Sequence, residues 1–308
     1  MSSIMDSAAN GTPQSALALA SAPTTPSAVL HRPRTRRVAN RRRTLALFLF
    51  AVVLLGAVLV AGTLLVPVAA ATDFSAKNLA PSAAHLFGTD WMGRDMFART
   101  VAGLATSIQI GLLAAACSSV IALVLATIAA LGGRKADAVV TWLVDLMLGI
   151  PHIVLILLIS FALGKGMVGV TIGVAITHWP NLTRVLRAEI LQCRQAPYVE
   201  VARRLGQGPL HIATRHMLPH LFPQFFVGLV LLFPHAILHE ASITFLGFGL
   251  PPELPAIGII LSEAMSYLSA GMWWLAVFPG LALLVVVLLF DRAGSSLRTL
   301  IDPQRSQE

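Results

Sequence analysis

The segment Tyr198–Pro219 reads YVEVARRLGQGPLHIATRHMLP and holds three arginines, one glutamate, two histidines and two glycines. The runs on either side are apolar and long enough to cross a bilayer, so this polar stretch is a connection between spans. Pro197 and Pro219 bracket it. Val199, Ala202 and Leu205 recur at helical spacing while Arg203 and Arg204 fall elsewhere on the surface, which predicts a short amphipathic helix. Gly206 and Gly208 follow, and glycine lets a chain turn sharply and approach another backbone closely. Such a helix either rests on a membrane surface, as Arg-rich amphipathic segments do, or docks against another protein.

Of the 308 residues, 56% are hydrophobic and only 12% charged, with a mean hydropathy of +0.78. A soluble domain carries about 25% charged residues, so this balance is that of an integral membrane protein. A span needs roughly 20 apolar residues. Six windows qualify, at about 44–66, 103–131, 138–163, 167–190, 222–246 and 272–290, and the expected fold is all-α with six transmembrane helices. The first window, Thr44 to Val66, is longer than the roughly 7–15 apolar residues of a cleaved signal and lies behind a 43-residue leader, so it reads as an uncleaved anchor.

Arg32, Arg34, Arg36, Arg37, Arg41, Arg42 and Arg43 stand directly before that window, and such clusters stay in the cytoplasm. With six spans, all but four of the 22 lysines and arginines fall on the cytoplasmic side; the exceptions are Lys77, Arg94, Arg99 and Lys165. Both termini are then cytoplasmic. The net charge of +8 is explained by topology and gives no reason to invoke nucleic acid. Cys117 and Cys193 have neither metal-ligand spacing nor a disulfide framework.

Glu200, Val201, Ala202, Gly206, His216, Leu218 and Pro219 resemble the EAA loop of ATP-binding-cassette importer permeases, E-A-A-x3-G-x9-I-x-L-P. Val201 and His216 depart from that pattern, standing where it has alanine and isoleucine. FGTDWMGRDMFARTVAG, Phe87 to Gly103, resembles the GTDxxGRD signature of the dipeptide, oligopeptide and nickel permeases through Gly88, Asp90, Gly93, Arg94, Asp95 and Arg99. HEASITFLGFGLPPELPAIGIILSEA, His239 to Ala264, resembles a further loop of that family, with Ile257 where a tryptophan is usual, and DRAGSSLRTLIDP resembles its end. The likeness covers about residues 44–303.

The resemblance implies a type I importer permease in the cytoplasmic (inner) membrane. It would work with a second homologous permease, two ATPase subunits that bind the ATP, and an extracytoplasmic solute-binding protein. The solute class would be peptides, nickel or a metal chelate. The chain divides accordingly into a disordered basic leader 1–43, a first helix 44–71, a periplasmic segment 72–102, a five-helix core 103–291 containing the coupling loop 198–219, and a cytoplasmic tail 292–308.

Asp90, Arg94, Asp95 and Arg99 alternate in sign at spacings of four or five, so they pair on a helical turn, either bracing the outer face or meeting a partner. No phosphate-binding glycine loop with a following Lys-Ser/Thr is present, so ATP hydrolysis belongs to another subunit and no catalytic residue is assigned. Ionisable groups inside spans usually face a cavity or a partner, which makes Asp145, His178, His235, His239 and Glu240 candidates for the translocation pathway. His235 and His239 share a helix face, but the zinc-protease form HExxH needs glutamate where Ala236 stands, so the array is read as pathway lining and no metal site is assigned. Glu240 equally reads as a structural residue. Pro151 and Pro180 are expected to bend their helices. A secondary transporter or channel is the rival class, but the two halves lack the self-similarity common in such proteins.

Overall fold

Long apolar runs without breakers become helices, and the computed structural model, which describes residues 41–301 except the Pro209 and Leu210 side chains, is built from ten of them. The leader to residue 40 and the residues from 302 onward lie outside the described residues. Among the described residues the one extended pairing is an isolated bridge between Thr89 and Asp95.

Helix α1 (Arg41–Ala70) starts inside the stretch expected as leader, because arginine is a good helix former and the helix runs back through Arg43 to Arg41. Helix α2 (Met96–Leu131) starts seven residues before the expected window. Its start is set by Asp95, whose side chain accepts from the Ala98 amide at 2.9 Å and caps the first turn. The third window is not one straight span. It forms α3 (Gly133–Gly149) and α4 (His152–Ala162), bent by 94° at Ile150 and Pro151. Proline has no N–H to continue the ladder, and it holds the preceding Ile150 extended at φ −91°, ψ 134°. Pro180 does not break its helix, since α5 (Gly166–Arg194) is helical throughout.

Helix α6 (Pro197–Arg204) and the single turn α7 (Pro209–Ile212) lead through a π-helical turn, Ala213–Met217, into α8 (Leu218–Phe245). Helix α9 (Ile257–Leu268) is short and apolar, and α10 (Trp274–Ile301) continues well into the stretch expected as tail. By length and composition α1, α2, the π-turn with α8, and α10 can each cross a membrane, and the α3–α4 pair, bent as a broken span or a re-entrant loop is, brings the number to five when counted as one span. The fourth window, 167–190, is α5, whose 29 residues suffice in length, while Arg184, Arg187, Glu189 and Arg194 make its second half polar and keep it out of that set.

Small side chains hold the bundle together, as expected where lipid supplies no hydrophobic drive between helices. Ala114, Ala115, Ala122, Ala126, Ala129 and Ala130 of α2 are all buried, and α2 packs most extensively on α5 and α1. Two apolar clusters result: one joins α2, α8, α9 and α10, with Phe233 stacked on Phe290, and the other joins the second halves of α2 and α5 to α3, α6 and the start of α8. Helix α2 spans 36 residues, about 54 Å, so the loops at its two ends are far apart.

Candidate functional site

At the end of α2 near Leu131 lies the segment that opened the sequence analysis. Pro197 occupies the first turn of α6, where its missing N–H is no loss. The helix stops in a Schellman motif: the Gly206 amide donates to Arg203 O at 3.0 Å and the Gln207 amide to Ala202 O at 3.1 Å, with Gly206 at φ +80°. Val199 and Ala202 are buried as expected, but Leu205 is not; it is 74% exposed because it sits past the last helical turn. Tyr198 and Val201 are exposed too, so α6 offers an apolar outer face. Beside them the exposed Glu200 pairs with Arg204 at 3.0 Å and Arg203 at 3.4 Å.

His216 lies in the π-turn and its Nε2 is 3.2 Å from Gln207 Oε1, which ties the loop back onto itself. Leu218 and Pro219 begin α8. Arg194 Nη1 donates to Ala130 O at 2.5 Å and so joins this end of α5 to the end of α2. A cavity of about 430 Å³ opens behind α6, lined by Leu131, Arg194, Val199, Arg203 and Met217 among others.

At the far end of α2 the second motif closes on itself. Asp90, almost fully buried, accepts from the Met92 and Arg94 amides at 2.9 Å, from Arg94 Nε at 2.6 Å and from Arg99 Nη1 at 2.5 Å. Both guanidiniums also donate to Glu263 Oε2 of α9, at 3.3 and 2.9 Å. Two acids and two bases thus neutralise one another, joining the loop, α2 and α9. The Asp90–Arg94 pair has the expected i,i+4 spacing, but Asp95 does not pair with Arg99 side chain to side chain. It caps α2 and meets His85 Nδ1 at 2.9 Å.

Gly88 and Gly93 have φ of +73° and +76°. A Cβ on Gly93 would lie 1.7 Å from Asp73 O, so the turn closes against the short helical turn Phe74–Ala76. Hydrogen bonds from the Ser75 hydroxyl and amide to Asp73 fix that turn and hold the Asp73 carboxyl below its ordinary range.

The pathway candidates separate. Asp145 is exposed and pairs with Arg184 of α5 at 2.5 Å, and Arg187 pairs with Asp137, so α3 is stitched to the polar half of α5. Glu240 is fully buried, accepts from Thr244 Oγ1 at 2.9 Å, and has Ser107 of α2 beside it. It sits in the interface between α8 and α2. His178 and His239 come together, but with His152 as the third member, at ring-centroid distances of 4.6, 4.9 and 5.4 Å. His235 stays exposed at the edge.

Sequence reasoning passed over two residues. Glu263 stood unassigned inside a quoted motif, and His152 stood directly after the breaking proline. The second could have been noticed because the residue after a helix break is held at a corner, where neighbouring helices converge.

Known proteins resemble this chain in sequence and in fold. Residues 118–304 match the family described as binding-protein-dependent transport system inner membrane component. A putative peptide permease protein of Brucella suis biovar 1 (strain 1330) is 37% identical over 233 residues, covering 75% of this chain and 77% of that protein. A probable D,D-dipeptide transport system permease protein, DdpC, of Escherichia coli (strain K12) is 34% identical over 234 residues, 76% of this chain and 78% of its own length. In fold, the chain is similar to the MetNI methionine ABC transporter in inward-facing conformations, with a TM-score of 0.56 at 18% identity over 67% of this chain and 98% of that one. On the matched profile and these relatives, the chain belongs to the family of inner-membrane permease components of binding-protein-dependent ABC importers, a non-catalytic multi-pass membrane subunit.

Proposed function

We propose that this chain is one of two similar permeases in a peptide importer, with α6 in the cytoplasm as the piece that receives force from an ATPase pair. The observation that carries the reading is the exposed apolar face of Tyr198, Val201 and Leu205 on a helix held rigidly by its Schellman cap. Exposed apolar groups beside a charged rim are what a protein groove takes up. Movement of α6 passes through the buried Val199 and Ala202 and the π-turn to α8, and through Arg194 to α2. In this orientation the Asp90 network faces the periplasm, where a solute receptor docks, and both termini are cytoplasmic.

Peptides are the favoured solute because the relatives quoted above carry peptide and dipeptide names. Nickel or a metal chelate is the second reading, supported by the cluster of His152, His178 and His239. The test of the coupling role is co-purification of the ATPase subunits and solute-stimulated ATP hydrolysis with Gly206→Trp and Glu200→Arg variants. The reading expects insertion to survive and both signals to fall. Wild-type values for both variants, with uptake intact, would remove α6 from the coupling route.

A further inference from the structure

Helices α4, α5 and α8 each bring one histidine to the same place. One ring nitrogen from each of His152, His178 and His239 lies within 4.8 Å of the other two. We propose that these three bind a divalent late first-row transition-metal ion such as Ni²⁺ or Zn²⁺.

The protonation pattern at His178 suits a ligand. Its Nδ1 lies 2.9 Å from Val174 O, 3.1 Å from Thr177 Oγ1 and 3.4 Å from His152 Nε2; Val174 O is the nearest of the three and a carbonyl only accepts, so the Nδ1 proton is directed to Val174. Nε2 then carries a lone pair, and this atom is buried without a hydrogen-bond partner in a side chain only 7% exposed. A backbone carbonyl that fixes the tautomer while the other nitrogen stays free is the outer-shell pattern of metal-binding imidazoles. A lone pair buried without a donor is unfavourable, and a cation removes the penalty.

The set is all imidazole. Among the described residues no carboxylate pairs with any of the three, and Glu240, next to His239 in sequence, bonds to Thr244 instead. Neutral nitrogen ligands select nickel, copper and zinc over magnesium and calcium, which take oxygen. Metal–nitrogen bonds of roughly 2.0–2.1 Å bring tetrahedral ligand atoms to about 3.4 Å apart. The rings must therefore close by about an ångström, and His152 and His239, only partly buried, have room to do so. His235, one turn before His239, is exposed and stands outside the group of nitrogens that lie within 4.8 Å of one another, so the fourth position is left to water. Because His152 is the first residue after the 94° corner, a bound ion fastens that corner to two spans.

This inference does not depend on the solute. The experiment is equilibrium dialysis of the purified importer complex against Zn²⁺ or Ni²⁺, followed by elemental analysis, with Co²⁺ absorption as a second readout of nitrogen ligation. One ion per copy of this chain is expected, with affinity reduced in His152→Gln and in His239→Gln by at least the roughly 10–100-fold that outer-shell partners alone contribute. A Cys193→Ser variant, which disrupts the separate Glu189, Cys193 and His220 group, is expected to leave that ion in place. His178→Gln is informative only if it assembles, so the two partly exposed histidines decide. Absence of a stoichiometric ion, an ion indifferent to both histidine variants, or one lost with Cys193→Ser each overturns the site. That failure would leave the peptide reading untouched and remove the support for nickel.

Discussion

The two charged motifs at opposite ends of α2 use similar residues to opposite ends. Around Asp90 the arginines turn inward: the Arg99 side chain is 4% exposed, and every charge has a partner within the chain. Around Glu200 they turn outward: the Arg204 side chain is 79% exposed, its pair with Glu200 is solvated, and Val201 and Leu205 beside it are exposed. The first region fastens three elements of the protein to each other. The second has a capped helix with its apolar groups and charges left in solvent, which is what the proposed docking role requires. Charge content alone therefore does not distinguish a brace from a contact; the burial of the charges does.

The largest effect expected from breaking this contrast is at Asp90. Asp90→Ala leaves two nearly buried guanidiniums with one carboxylate, and removing one partner of a buried pair costs about 3–5 kcal/mol. Thermal unfolding of the purified chain in detergent should show a large fall in Tm, whereas Glu200→Ala should show almost none. Equal falls would mean that the inner network is no stronger than a surface pair.

A second pair of variants holds backbone conformation constant and changes the surroundings. Gly93 and Gly206 both have positive φ, +76° and +80°. A Cβ meets Asp73 O at 1.7 Å in the first case and nothing within 4 Å in the second. Gly206→Ala should cost only the left-handed strain of about 1–2 kcal/mol, while Gly93→Ala must also displace the Phe74–Ala76 turn and should cost clearly more. Protease sensitivity of the loop before α2 would report the difference directly.

Much of the fold was legible because long apolar runs are a strong, local signal. The short helix α6 was legible for the same reason: Pro197 and Gly206 punctuate it within ten positions. Where the sequence reading erred, tertiary partners decided. Leu205 followed the helical spacing yet faces outward, since the chain leaves the helix at Gly206. Of the two prolines expected to bend their helices, Pro151, with Ile150 extended before it, ends one, and Pro180 lies within the continuous α5. Glu263 and His152 went unassigned because their partners are remote: 164 residues separate Glu263 from Arg99, and 26 separate His152 from His178. Pairing over such distances leaves no periodicity to read.

A third prediction tests function without stability. Val201→Asp and Leu205→Asp place charge on side chains already in solvent, so unfolding should shift by no more than about 0.5 kcal/mol. If α6 sits in an ATPase groove, each aspartate is buried there unpaired, and solute-stimulated ATP hydrolysis should fall at least tenfold, about 1.4 kcal/mol. Unchanged hydrolysis with a normal complex would mean that this face meets lipid or solvent.

The smallest effect is expected at Glu200 itself, and it separates two readings of the same residue. As an internal brace, Glu200 would stabilise α6 through Arg203 and Arg204, but all three side chains are at least half exposed. Such i,i+3 and i,i+4 pairs contribute about 0.3–0.5 kcal/mol and fade with salt. As a first-turn acid it also favours the helix N-terminus by a similar amount. Glu200→Gln removes the charge and keeps the shape, so the Tm of the isolated permease should barely move, and raising the salt concentration should erase the shift. In the full complex the same variant should lower ATPase co-purification, because a carboxylate in a protein groove is desolvated and its partner there is left unpaired. A salt-resistant loss of Tm in the isolated chain would place Glu200 with Asp90 among the internal braces, and the contrast between the two ends of α2 would no longer hold.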